Sequence, residues 1–256
     1  MDTKINNRYP LSEWHVNNLR MTAFPSDVPQ HMEFDWWFDI VGEPSDEKTS
    51  KPKSGEYIEI GRYDPGKLIL HIQHGKIDWV FTVDEQDIEL NRIPSIGPFP
   101  DILEIFLRPL RNWFNHQSCP VMHRIAFGAI VFLPVSNHQE GYETLSLYLP
   151  AVKLDPSNSS DFLYQINRPR ELNIDIPELR INRLSKWSVF KFEAGVVSLR
   201  ADFIDHTPKT TLFACRLELD INTRQDFDGE INPNQIYIVF DELVSSAKEI
   251  ISEGDK

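Results

Sequence analysis

Hydrophobic and polar positions alternate with a period of two through much of the first half of the chain, the pattern of half-buried strands. In LILHIQHGKIDWVFT, 68–82, a two-residue turn at His74-Gly75 pairs Gln73 with Lys76, Ile72 with Ile77 and His71 with Asp78. The next pairs are Leu70 with Trp79, Ile69 with Val80 and Leu68 with Phe81. This register gathers Leu68, Leu70, Ile72, Ile77, Trp79 and Phe81 on one wholly apolar face, and a slip of one residue would turn them all outward. MEFDWWFDIV, 32–41, alternates too. Met32, Phe34, Trp36, Phe38 and Ile40 fall on one face of the expected strand; Glu33, Asp35, Trp37, Asp39 and Val41 fall on the other. Further strands are expected over 19–24, closed by Pro25, and over 57–62. The segment 42–56, GEPSDEKTSKPKSGE, reads as a polar surface loop, and Asp64-Pro65-Gly66 as a turn.

The period then changes. Ile102, Phe106, Leu110 and Trp113 recur at helical spacing behind Pro100 and Asp101, with Pro109 expected to kink the helix. The second half runs through a long apolar strand, 121–135, a short helix, 142–149, and a polar loop, 155–160. Strands are expected over 162–167, 179–193, 196–203 and 210–221, with Ala194-Gly195 as a turn and Asp205-His206 as another. Asn232, Pro233 and Gln235 form the start signal of a terminal helix over 234–253, whose Ile236, Phe240, Leu243, Ala247 and Ile250 share one face. Strands followed by a helix, twice over, predict an α+β fold with antiparallel sheets in two halves, each followed by a long helix. The chain is expected to form a single compact unit over 1–256, with 1–118 and 119–256 as its subdomains. The halves do not match residue for residue, so only the order of elements suggests a duplication.

Composition narrows the function classes. The 256 residues are 41% apolar and 25% charged, values of an ordinary globular protein. A formal charge of −13 argues against direct nucleic-acid binding and suits a basic protein partner. The densest basic stretch, 167–170 with Arg180, Arg183 and Lys186, is short. Cys119 and Cys215 are too few for a disulfide framework or a thiolate metal site and read as buried free thiols in a reducing cytoplasm. MDTKINNRYPLSEWH lacks the apolar core of a signal peptide, and no apolar run approaches the roughly 20 residues that span a bilayer. A soluble, cytoplasmic protein without membrane contact is expected.

Candidate chemistry is sparse. No phosphate-binding loop, dinucleotide turn, zinc helix, nucleophile elbow or CxxC pair occurs. His71 opposite Asp78 reads as a structural cross-strand pair worth a few tenths to about 1 kcal/mol. His71 and His74, three apart on a strand, point to opposite faces and make a poor metal pair. Glu218 and Asp220 share a strand face and are of a type that holds Mg²⁺, but with Arg216 they read as a solvated face. No catalytic residue, metal or cofactor is assigned. Trp37, on the acidic face of its expected strand, is either covered by another element or an exposed aromatic anchor, and is the partner-binding candidate.

LFACRLELDINTRQDF followed by the amphipathic QIYIVFDELVSSAKEII resembles a sporadically distributed bacterial family with a SecB-like arrangement, each unit an antiparallel sheet backed by a helix. The resemblance covers the last third of the chain; LRMTAFP and DWWFDIV fall outside it. It implies protein binding, as in SecB-like chaperones and the adaptor subunits of toxin–antitoxin and phage-defence operons, and gives no residue a defined role. The leading expectation is thus a protein-binding, adaptor or chaperone-like subunit, with its oligomeric state open. The alternative is an enzyme or nuclease subunit whose site assembles from His71, Asp78, Glu218 and Asp220. That alternative requires the four to converge.

Overall fold

The computed structural model describes residues 8–27, 35–89, 91–172, 174, 176–200 and 203–255, with the backbone alone for 194–200 and 203–209. Its strands are β1 (His15–Pro25), β2 (Glu47–Lys51), β3 (Glu56–Tyr63), β4 (Gly66–Gln73), β5 (Lys76–Thr82), β6 (Gly97–Pro98), β7 (Met122–Val135), β8 (Leu163–Asn167), β9 (Arg170–Glu171), β10 (Arg180–Arg200) and β11 (Phe203–Thr223). Its α-helices are α1 (Trp36–Val41), α2 (Phe99–Phe114), α3 (His138–Tyr148) and α4 (Pro233–Glu253).

All eleven strands belong to one sheet, ordered β2-β3-β4-β5-β1-β7-β11-β10-β8, with β6 on β1 and β9 on β10. The two separate halves expected from the sequence are therefore corrected. β1 lies antiparallel between β5 and β7, so the first strand of the chain joins the two halves into one sheet. The order of elements along the sequence could not reveal this, because the pairing partner of β1 lies about a hundred residues away. The β4–β5 hairpin has the expected register, with Leu70 opposite Trp79 and His71 opposite Asp78.

Pairing rows show why one face is core. Leu70, Trp79, Met21, Phe127 and Ile221 lie side by side across five strands, and Leu68, Phe81, Leu19, Ala129 and Leu219 form the next such row. All ten are buried. The helices pack on this face through ring contacts: Trp37 and Trp113 on Trp79, Phe106 on Phe81, Phe240 on Phe127. α3 joins them where the Cys215 thiol donates to the Gly141 carbonyl at 3.3 Å. At the start of α4 the Asn232 amide donates to the Gln235 side-chain oxygen at 3.3 Å, the closing half of the expected capping box.

Four local readings are corrected. The expected strand 32–41 is helix α1 over its described part. The Asp35 carboxylate accepts from the Phe38 amide, and Gly42, at φ 86°, ends the helix in the left-handed conformation. Trp37 consequently turns into the core, is 1% exposed, and stacks on Trp79. Gly61 makes room for it: a Cβ there would come within 2.6 Å of the Trp37 ring. The expected loop 42–56 contains edge strand β2, whose five residues are all exposed. Ala194-Gly195 is a register irregularity inside β10, and Asp205 and His206 lie in β11, paired with Ser198 and Val197.

Candidate interaction surface

The second face of the sheet carries none of the four helices, which all pack on the first. Its rows read His71, Asp78, Thr22, Ala126, Asn222; then Val80, Arg20, Gly128, Asp220, Leu184; then Thr82, Asn18, Ile130, Glu218, Lys186. Here the sequence-derived candidates can be placed. Asp78 is 5% exposed, accepts a hydrogen bond from the Thr22 hydroxyl at 2.6 Å and pairs with Lys76 at 2.8 Å. His71 Nε2 lies 3.4 Å from the Glu56 carboxylate. Glu56, hydrogen-bonded by Lys51, titrates below the usual glutamate value. Glu218 is held between Lys186 at 3.0 Å and Arg216 at 3.2 Å, and Asp220 accepts from the Asn222 amide at 2.9 Å.

β1 and β7 lie between β5 and β11, so Asp78 and Asp220 are three strand spacings apart, about 14 Å. The four residues of the enzyme alternative do not converge. Among the described residues no group of three His, Cys, Asp or Glu side chains is placed to hold a metal ion. Burial pushes the Cys119 thiol up to about 12 and raises the Cys215 thiol as well, which keeps both protonated and poor nucleophiles at neutral pH.

A different feature of this face has the shape of a binding site. Residues 83–89 and 91–97 lie beside the ends of β1, β7 and β11 and leave a cavity of about 550 Å³, within the usual range for a ligand or side-chain cluster. Val83, Ile88, Ile96, Phe132, Pro134 and Leu212 give it an apolar lining, to which His15 adds a polar ring. Of its charged groups, Asp87 pairs with Arg62 at 3.2 Å and Glu89 with Arg92 at 3.4 Å, so the walls carry little uncompensated charge. Phe132 continues the surface onto β10, its ring 5.2 Å from Phe192 and 6.3 Å from Phe190. Phe190 is 39% exposed beneath the Arg216 guanidinium.

Sequence reasoning missed this cluster. Phe132 sits in the unbroken apolar run of β7, where nothing indicates which face a residue takes; only the alternation of Phe190-Lys191-Phe192 carried a signal. Trp37, the residue singled out, is a core residue.

Comparison of the chain with known protein families, curated proteins and solved structures returns no match. No helix of the described residues is long and apolar enough to cross a membrane.

Proposed function

We propose that this chain is a protein-binding subunit of the adaptor or chaperone-like kind, taking an apolar segment of its partner into the groove that Val83, Ile88 and Ile96 line and that runs on to the Phe132–Phe190–Phe192 cluster. The observation that carries this reading is the partly exposed Phe190 ring, joined through Phe192 and the buried Phe132 to that groove on the face opposite the helices. A large aromatic that stays solvent-accessible beside a concave apolar lining, as Phe190 does, is a usual anchor of protein recognition. The formal charge of −13 favours a partner with basic flanks. A place in a bacterial toxin–antitoxin or phage-defence assembly would suit such a subunit, and it is the resemblance of the last third of the chain that suggests it.

Phe190→Ser tests the reading, because the ring is partly exposed and its loss should leave the fold intact. Wild type should retain apolar, basic-flanked peptides from an immobilised library, and Phe190→Ser should weaken that retention at least tenfold at an unchanged melting temperature. Equal retention by both proteins would refute the groove as the binding site.

A further inference from the structure

The two lateral edges of the sheet are built differently. At one end, β2 is five exposed residues, Glu-Lys-Thr-Ser-Lys, the short charged edge that discourages further pairing. At the other end, β10 is 21 residues long, but β8 pairs with it only from Leu184 to Ser188 and β9 only at Arg180 and Ile181. Beyond Ser188 no strand among the described residues lies against this edge, and the sequence there, Val189-Phe190-Lys191-Phe192-Glu193, is of high strand propensity and lacks proline.

The hydrogen-bond direction along β10 can be read from its described end. The Arg183 amide donates outward to the Asn167 side chain at 2.9 Å, and the Arg183 carbonyl accepts from the Arg168 amide at 3.2 Å. The Arg180 carbonyl instead accepts from Arg224, on the β11 side. Because direction alternates along a strand, odd-numbered positions 189, 191 and 193 turn their backbone groups to the outer edge.

We infer that this edge pairs with the same edge of a second copy, antiparallel, about a twofold axis at Phe192. Identical strands paired antiparallel form an isologous contact that closes at two chains. An axis at any residue from 189 to 193 would match outward backbone groups. One at Val189 brings Lys191 opposite position 187, where β8 already pairs, and one at Glu193 sets two glutamates face to face. Charge and the β8 pairing choose among the other three. An axis at Lys191 sets two lysines face to face. An axis at Phe190 brings Glu193 opposite position 187, where β8 already pairs. An axis at Phe192 sets Lys191 of each copy opposite Glu193 of the other, twice, so the Lys191–Glu193 ion pair that each chain holds by itself is exchanged for one across the contact, two for two, with no like charges opposed. The register irregularity at Ala194/Gly195 ends the ladder just beyond. This inference does not rest on the proposed function: the edge contact shares Phe190 and Phe192 with the aromatic cluster, but it is read from backbone direction and charge, and the Lys191 and Glu193 variants that test it leave those rings in place.

The full-length chain should show, by light scattering on a sizing column, a concentration-dependent mass rising toward twice its 29.8 kDa. Lys191→Glu should weaken the association at least tenfold by opposing two carboxylates, and Lys191→Glu with Glu193→Lys should restore it. Lys191→Pro removes only an outward amide, which edge strands tolerate, and should give a monomer with the wild-type melting curve. A wild-type chain that stays monomeric at every concentration would overturn the inference. So would a single charge reversal that leaves the dimer intact, or a double reversal that fails to restore it.

Discussion

At the scale of single residues, burial and pairing decide what each candidate does. Trp37 fills the space above Gly61 and stacks on Trp79, and its indole N–H, like those of Trp79 and Trp113, has no acceptor among the described residues. An unpaired buried donor costs about 1–3 kcal/mol, so the ring is retained for its apolar area. Trp37→Ala should therefore cost about 3–5 kcal/mol, and Trp37→Phe much less, because it removes the unpaired donor while keeping most of the stacking. Urea denaturation of the two variants checks this, and equal losses would show that the N–H does have a partner. Near the other end of the chain, Asp255 accepts from both Arg168 nitrogens and from the Tyr164 hydroxyl at 2.7 Å. Burial would raise its pKa, but these partners outweigh burial and hold it below the ordinary aspartate value. Its contribution to stability is thus complete above the unfolded value of about 3.9 and disappears as pH falls through the lower folded value. Asp255→Asn should lose about 1–3 kcal/mol near neutrality, and the deficit relative to wild type should shrink when stability is measured near pH 3.

At the scale of elements, legibility in the sequence depended on how many constraints agreed. The β4–β5 hairpin was legible because turn chemistry and a two-residue period gave the same register on both strands. α1 was not. Over only six residues, Trp36, Trp37 and Ile40 satisfy a helical stripe while Trp36, Phe38 and Ile40 satisfy a strand, and the deciding signals were the caps, Asp35 and Gly42. β2 escaped notice because an edge strand has no buried face to leave a hydrophobic period. In β10, a glycine inside an irregularity looks like a turn glycine, and only the partner strand distinguishes the two. α4 was legible over its whole length, since Ile236, Phe240, Leu243, Ala247 and Ile250 are all buried against the sheet and α2. A chain truncated after Gly229 should expose the face of β7 and β11 that this stripe covers and should aggregate. A soluble truncated chain with a cooperative melt would show that the sheet does not need its helix.

At the scale of the whole molecule, the position of β1 controls the architecture. Its Leu19, Met21 and Ala23 lie between Ile77, Trp79 and Phe81 on one side and Ile125, Phe127 and Ala129 on the other. Neither half of the chain can complete its own core row, and Phe114 of α2 meets Phe240 of α4 across the same division at 5.4 Å. The recognition proposed for the open face would depend on this continuity, because the groove takes walls from both halves, Val83 and Ile96 from the first and Phe132 and Leu212 from the second. A cut between residues 118 and 119 should consequently yield two pieces that do not fold separately. The 119–256 piece would present β7, fourteen mostly apolar residues, as a bare edge, which invites aggregation. Produced together, the two pieces should assemble into one soluble complex whose far-ultraviolet dichroism matches that of the intact chain, and the intact chain should melt in a single transition. Either piece folding cooperatively alone would mean that the β1–β7 pairing joins two finished domains, and the groove would then be an interface between them rather than part of a single core.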